Sequence, residues 1–162
     1  MTIPAVDCLL KEGETLREAL CTGYLIICAV QDIKKQTIDI RVSVFAGCAA
    51  LLLDGSALAA GQIEFLTSLG GLVPGILLLA LALFSGGAAG IGDGICFLVL
   101  GTLLGTWMTW AVLMSALILA AAVGALLMAF RKAGRRTHMP FLAFAAASWA
   151  LILAARLSGI NW

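Results

Sequence analysis

The chain has 162 residues, of which 62% are hydrophobic and only 12% are charged, and its formal net charge is +1. Soluble globular domains are about half apolar and a quarter charged, so this composition excludes an ordinary soluble domain and indicates a lipid bilayer as the solvent. The small net charge gives no indication of a nucleic-acid partner. The length suits one compact unit, and we assign residues 1–162 to a single membrane-embedded domain.

The membrane spans are predicted to be helices, because backbone polar groups in hydrocarbon must pair within the protein and the sequence shows no strand alternation. In chain order we predict six, over Thr15–Gln31, Val42–Ala60, Leu66–Ser85, Gly94–Thr106, Trp110–Phe130, and from Pro140 to Leu157. The first has a short apolar part, and Arg17 and Glu18 near its start are expected to reach toward the lipid headgroups. The predicted fold class is therefore all-α, a polytopic membrane protein of about six transmembrane helices.

A turn is predicted inside the apolar stretch Ile95–Phe130. As one helix this stretch would extend for ~54 Å, which is too long for a single crossing. Gly105, Trp107 and Trp110 mark the expected turn, with the tryptophans at headgroup level. Gly101 and Gly105 also form a GxxxG spacing, which favours close packing of another helix, and the first helix is a candidate partner.

Basic residues predict the orientation of the chain in the membrane. The two segments after the first and fifth helices carry most of them: Lys34, Lys35, Arg41, Arg131, Lys132, Arg135 and Arg136. Under the positive-inside rule both segments are cytoplasmic, and six crossings then place both termini outside. The mixed charges between Asp7 and Glu18 differ from the basic start of a signal peptide, so the first helix is expected to remain in the mature protein.

Two aspartates are predicted to meet at the cytoplasmic boundary of the membrane. Asp32 follows the first helix, and Asp93 begins the fourth, directly after the glycine-rich segment Ser85–Gly92. A carboxylate near hydrocarbon is costly unless it is paired, hydrated or neutralised, so both are functional candidates. Two adjacent carboxyls tend to share one proton, so that one activates water while the other polarises a carbonyl group. This is the arrangement of an aspartic peptidase, which needs no metal and no cofactor.

The glycines beside Asp93 and the helix that follows it have expected roles as well. Gly90 and Gly92 are assigned to the active-site loop, because they leave space for a substrate backbone. The N-terminus of the fourth helix is expected to favour the ionised form of Asp93 over that of its partner. For either aspartate alone, a helix cap or an exposed charge is the simpler interpretation, and Asp93 suits an N-cap. The two together, at one depth, favour the catalytic interpretation.

Three segments resemble the type IV prepilin peptidases, a family of GxGD-type membrane aspartic peptidases. Asp32–Ile38 resembles the motif after that family's first helix, Gly90–Asp93 matches GxGD, and Pro140–Leu142 resembles the proline-led signature before its last helix. The resemblance implies that Asp32 and Asp93 are the catalytic pair of an endopeptidase. It also implies that this enzyme cleaves the leader peptide of type IV prepilin-like precursors at the cytoplasmic membrane face, in pilus or secretion-system assembly.

Three positions depart from the pattern of that family. Asp39 and Ile40 stand where a Pro-Asn or Pro-Asp pair is frequent, and Ile95 stands where lysine is frequent. These changes leave both carboxylates in place and concern the substrate preference. Larger relatives carry a methylating domain with a four-cysteine zinc site, which a chain of this length and cysteine spacing is not expected to have. We therefore predict cleavage without methylation.

The remaining candidate residues are interpreted as structural. The five cysteines form no CxxC pair and are expected to be small buried apolar side chains: Cys8, Cys21, Cys28, Cys48 and Cys96. Asp39 is predicted to be a solvated loop charge. Asp54 and Glu64 are predicted to cap or border helices on the outer side. His138 lacks a cluster of further ligands, so no metal site is predicted.

Two other function classes stay open. A small proton- or cation-coupled transporter could use the same carboxylates, but that class predicts an internal repeat and polar residues near the midplane, neither of which is clear in the sequence. A non-catalytic pilus-assembly factor that retains the peptidase fold is compatible with the departures named above. The substrate-binding residues, the cleavage site, the oligomeric state and the aspartate that holds the proton do not follow from the sequence.

Overall fold

The architecture was derived from a computed structural model, which describes residues 4–35, 39–59, 65–85, 90–130 and 140–158. These residues form helices joined by short connections: α1 (Pro4–Lys35), α2 (Ile40–Ala59), α3 (Phe65–Phe84), α4 (Ile91–Ala129) and α5 (Phe141–Leu157). The predicted all-α class is confirmed for this part of the chain, which contains no strand.

Helix α1 extends beyond the predicted span Thr15–Gln31 at both ends. The helix starts at Pro4, in a first turn where the missing backbone donor of proline is tolerated. The segment 4–14 that follows is rich in Leu, Glu and Lys, which favour helix even without an apolar run. The bounds of α2, α3 and α5 lie close to their predicted positions.

Helix α4 consists of two arms that meet at Gly105. This residue has φ 73° and ψ −178°, a conformation that is open almost only to glycine. The hydroxyl of Thr109 donates hydrogen bonds to the carbonyl oxygens of both Gly105, at 2.7 Å, and Leu100, at 3.4 Å. In a straight helix Thr109 and Leu100 would be separated by ~13.5 Å along the axis, so the chain bends sharply between them. The predicted turn at Gly105 is confirmed.

Helix α3 packs antiparallel against the first arm of α4 at very close range. The backbone of Gly101 in α4 lies against the backbone of Gly71 in α3, and Gly75 lies against the backbone of Leu98. A side chain on any of these glycines would collide with the facing helix. The partner of the GxxxG spacing is therefore α3, and not the first helix as expected. The reason is that α3 carries its own glycines, four residues apart, on the facing surface.

The buried core lies where α1, α4 and α5 meet, and α2 packs mainly on α4. Its largest fully buried side chains come from these three helices: Leu25, Phe97, Leu100, Val112, Leu113, Leu142 and Trp149. Phe97 of α4 and Phe141 of α5 stack in a tilted arrangement, with ring centroids 5.9 Å apart. These contacts fix the start of α5 next to the first arm of α4.

Two ion pairs connect the N-terminal half of α1 to its neighbours. Arg17 lies 2.9 Å from the Oδ1 of Asp54 in α2 and also donates a hydrogen bond to the carbonyl oxygen of Leu53. Glu18 pairs with Arg156 at the end of α5. Partners within the protein therefore compensate both charges, and the expectation that Arg17 and Glu18 reach toward the headgroups stays a prediction. Asp54 lies inside α2, which continues to Ala59, so its predicted role of capping or bordering a helix is not confirmed.

One of the described helices, Ile91–Ala129, is long and apolar enough to cross a membrane. The apolar helical segments Leu69–Phe84 and Phe141–Arg156 are shorter. The predicted number of six transmembrane helices is therefore not confirmed. Many large apolar side chains nevertheless face outward, with Phe84 91% exposed and Phe45 80% exposed. An apolar surface of this extent is typical of a protein that is covered by another apolar phase or partner.

Trp149 offers a test of the α1–α5 contact. Its side chain is 1% exposed, and its Nε1–H donates a hydrogen bond to the Oγ1 of Thr22 in α1 at 2.9 Å. We expect Trp149→Phe to lower the free energy of unfolding by about 1–2 kcal/mol, because it removes this bond and leaves a small void. Denaturation in detergent micelles measures the change. Trp107→Phe is the matched control, since Trp107 is 79% exposed; an equal loss in both variants contradicts the assignment.

Candidate active site

Asp32 lies near the end of α1, beyond the apolar run 19–30. Its Oδ2 accepts a hydrogen bond from the backbone N–H of Leu142 at 3.0 Å. Leu142 is in the first turn of α5, after the N-cap residue Pro140, where the backbone N–H groups have no intrahelical acceptor. Burial raises the pKa of the Asp32 carboxyl, and the hydrogen bond from Leu142 opposes this rise. The segment Pro140–Leu142 thus contacts Asp32 directly.

Asp93 occupies the first turn of α4, three residues after the N-cap residue Gly90. The N–H of Asp93 donates a hydrogen bond to the carbonyl oxygen of Gly90 at 3.1 Å, and the Asp93 carboxylate accepts one from the Gly90 backbone. A carboxylate at the third helical position that returns to the N-cap amide is half of a capping box. Asp93 is therefore not itself the N-cap, and its carboxylate is held at the helix start.

The structure brings Asp32 and Asp93 together, close enough for their carboxylates to interact electrostatically. One helical turn deeper, the thiols of Cys28 in α1 and Cys96 in α4 are hydrogen-bonded to each other. Cys28 precedes Asp32 by four residues, whereas Cys96 follows Asp93 by three. The two helices therefore run antiparallel here, and their carboxylates lie at the same level on the same end of the helix bundle.

A small polar network lies beneath the two carboxylates. The hydroxyl of Tyr24 donates a hydrogen bond to the Oγ of Ser43 in α2 at 3.0 Å and also contacts Cys28. Tyr24, Cys28 and Asp32 follow one another at intervals of four residues, so they occupy one face of α1. The sequence analysis missed this network, although that spacing of polar side chains in an apolar helix was a signal for it.

The expectation of buried cysteines is confirmed for Cys21, Cys28 and Cys96, which are fully buried. It is wrong for Cys48, which is exposed on α2. α2 is apolar around most of its circumference, so its sequence does not distinguish the face that packs on α4 from the face that points outward. The side chain of Cys8 lies outside the described residues.

Gly90 leaves the space that the Asp93 carboxylate occupies. A Cβ atom built on Gly90 would lie 3.0 Å from the Oδ2 of Asp93, which is tighter than ordinary van der Waals contact. Gly92 stands in the first turn of α4, next to Asp93. The expected preference for an ionised Asp93 does not follow from the helix dipole, because Asp32 also lies at a helix N-terminus, that of α5. Each carboxylate accepts one backbone N–H.

The other residues considered in the sequence lie away from the carboxylate pair or outside the described residues. Asp39 is exposed, and its Oδ1 accepts a hydrogen bond from the N–H of Arg41 at 3.1 Å, so it caps the start of α2. Ile40 begins α2, and Ile95 is half-buried in α4. Glu64, His138 and the basic segment 131–136 lie outside the described residues. Within the described part of the chain, no three potential metal ligands cluster.

Comparison with known proteins gives one match. The chain matches the type IV leader peptidase family over residues 19–130, which is more than half of its length and includes both aspartates and the glycines beside Asp93. No curated protein and no solved structure shows significant similarity to the chain.

Proposed function

The chain belongs to the type IV leader peptidase family, and we propose that it is a membrane-embedded aspartic endopeptidase with Asp32 and Asp93 as its catalytic pair. Membership implies a protease of a membrane-associated family. The observation that carries the finer proposal is the antiparallel contact of α1 with α4, which brings the two carboxylates together at one end of the bundle. Paired carboxyls that share a proton are the groups an aspartic peptidase requires.

Catalysis then proceeds with water as the nucleophile. The ionised carboxylate takes a proton from a water molecule as it attacks the carbonyl carbon of the scissile peptide, while the protonated carboxyl donates a hydrogen bond to the carbonyl oxygen. The resulting tetrahedral intermediate collapses as the leaving nitrogen receives a proton and the C–N bond breaks. Asp32 accepts the N–H of Leu142 and Asp93 that of Gly90, so each carboxylate has a backbone donor that stabilises its ionised form.

We place the carboxylate pair at the cytoplasmic face of the cytoplasmic membrane. The end of α1 that holds Asp32 adjoins the start of α5, whereas Arg17 and Glu18, near the middle of α1, pair with Asp54 in the last turns of α2 and with Arg156 near the end of α5. Successive helices therefore alternate in direction, with the two arms of α4 counted separately, as expected for a multi-pass protein. Basic residues follow α1 and α4 in the sequence, and the positive-inside rule then assigns the end of α1 that holds Asp32 to the cytoplasm.

The proposed substrate is a type IV prepilin-like precursor whose leader peptide is removed at that face. A cleavage assay in liposomes tests this proposal. Purified protein is reconstituted with such a precursor, and the products are identified by mass spectrometry. A single cut between the leader and the mature segment supports the peptidase. Proton or cation flux across the same liposomes without cleavage supports the transporter class, and the absence of both supports the non-catalytic assembly factor.

Gly90→Ala is expected to impair catalysis without unfolding the protein. Gly90 has φ −74° and ψ 125°, which alanine adopts without strain, so the added methyl acts only through its contact with Asp93. A carboxylate displaced by a few tenths of an ångström loses its alignment, and we expect kcat to fall about 10-fold. The turnover of the reconstituted protein measures this effect. Gly55→Ala, with no atom near the added methyl, should retain the wild-type rate.

A further inference from the structure

A groove of about 470 Å³ runs between α1 and α2. Most of the residues that line it are small or apolar, and Arg41 is the charged one among them. Leu103 of α4 forms part of its floor. The full lining is Ala19, Leu20, Gly23, Tyr24, Ile27, Arg41, Val42, Phe45, Ala46, Ala49 and Leu103. α1 and α2 scarcely touch each other along this length, because α2 packs mainly on α4. The groove is therefore open to the side, toward the surface on which the apolar side chains are exposed.

The groove runs toward the end of the bundle that holds the carboxylate pair. Its lining follows α1 from Ala19 to Ile27 and α2 from Ala49 back to Arg41, so it extends for about 12 Å along the helices toward the end that holds Asp32. Tyr24 is a wall of the groove and contacts Cys28, which lies one turn before Asp32. A chain that lies in the groove and continues past Arg41 therefore leaves it at the end of the bundle that holds the aspartates.

The surroundings determine what kind of chain fits. Backbone groups inside hydrocarbon must be hydrogen-bonded within their own segment, so a peptide in the groove is helical at this depth. An apolar helix matches the apolar walls of the groove. Arg41 stands at the end nearest the carboxylates, where it repels cationic side chains from the groove and leaves them in the aqueous phase.

We propose that the α1–α2 groove is the docking site for the apolar helix of the substrate, which it holds so that the peptide bond preceding that helix reaches Asp32 and Asp93. This inference rests on the proposed function and extends it, since it assigns a substrate-binding surface that the sequence did not reveal. The substrate class is a single-pass membrane protein that is cut at the boundary between a polar leader and an apolar helix. A basic leader stays outside the groove, beyond Arg41.

Gly23 allows a direct test. It lines the groove, and a Cβ built on it meets nothing within 4 Å, so Gly23→Phe places its ring in the groove from a position where the first added atom is free of contacts. Gly55 in α2 is the matched control: it is also helical and open, but it does not line the groove. With a prepilin-like precursor in phosphatidylglycerol-containing liposomes, we expect Gly23→Phe to raise KM at least about 10-fold and to leave kcat unchanged, a loss of about 1.4 kcal/mol. Gly55→Phe should match the wild type.

Photo-crosslinking separates failure of this inference from failure of the proposed function. A benzophenone side chain at Ile27, which lines the groove, should crosslink to the apolar helix of the precursor in an Asp32→Asn background. The same probe at Ile118, which is 69% exposed elsewhere on the surface, should not. If the wild type cleaves the precursor but Gly23→Phe and Gly55→Phe behave alike and Ile27 gives no crosslink, the groove proposal is overturned and the peptidase stands. If the wild type does not cleave, the proposed function fails, and the crosslinks alone decide whether the groove binds the helix.

Discussion

Asp32→Asn and Asp93→Asn are each expected to lower the rate of precursor cleavage by about 10³-fold or more, because each variant removes one of the two groups that exchange protons with the reacting water and carbonyl. Asparagine has nearly the shape of aspartate and can still accept the N–H of Leu142 or of Gly90, so both variants should remain folded. Cleavage under single-turnover conditions in liposomes measures the effect, and denaturation in micelles verifies the fold.

Asp39→Asn is the control for the aspartate variants. Asp39 is exposed and caps α2 through the N–H of Arg41, and asparagine caps helices equally well. Its rate should equal that of the wild type. The double variant of Asp32 and Asp93 should be no slower than either single one, because the two residues act as a unit. Retention of more than a tenth of the wild-type rate by either single variant would rule out the catalytic pair.

The helical class and the turn inside α4 could be predicted because they depend on local chemistry. Composition indicated a membrane protein, and Gly105 lies in a stretch too long for one predicted crossing, so a reversal was expected there. The backbone of Gly105 now shows the conformation that such a reversal needs. The pairing of helices was harder to predict, because an apolar helix in hydrocarbon has no polar face that identifies its partner. The spacing of Gly101 and Gly105 indicated a close neighbour without telling α3 from α1.

The candidate site also contains some features that the sequence could predict and others that it could not. Asp32, Asp93 and Gly90 could be selected from the sequence because charge is rare in so apolar a chain and because the predicted topology gave the two carboxylates a common depth. The donor from Leu142 could not be found, since a backbone N–H leaves no mark in a sequence. The ion-pair partner of Arg17 could not be found for a related reason: Asp54 lies on another helix, and only the fold brings the two charges to 2.9 Å.

Gly101→Leu is expected to prevent stable folding, with a loss of at least about 3 kcal/mol, the upper part of the range for overpacked sites. The new side chain points at the backbone of Gly71, and a backbone cannot rotate away as a flexible side chain can. α3 and the first arm of α4 must then separate along their whole antiparallel contact, and the start of α4, with Asp93, moves with that arm. Size-exclusion chromatography in detergent and the denaturation midpoint measure the loss.

Two further variants connect this packing to the site. Gly55→Leu adds the same side chain where an added Cβ meets nothing within 4 Å, and it should be as stable as the wild type or slightly more so, since leucine favours helix over glycine. Gly101→Ala adds the smallest group that still touches Gly71, so it should be destabilised less than Gly101→Leu and should lose peptidase activity in proportion to the displacement of Asp93. If Gly101→Leu proved as stable as Gly55→Leu, the close contact of α3 with α4 would be wrong. The contact between α3 and α4 fixes the position of the first arm of α4 along the bundle. Without it, another contact would have to explain why Asp93 lies at the same level as Asp32.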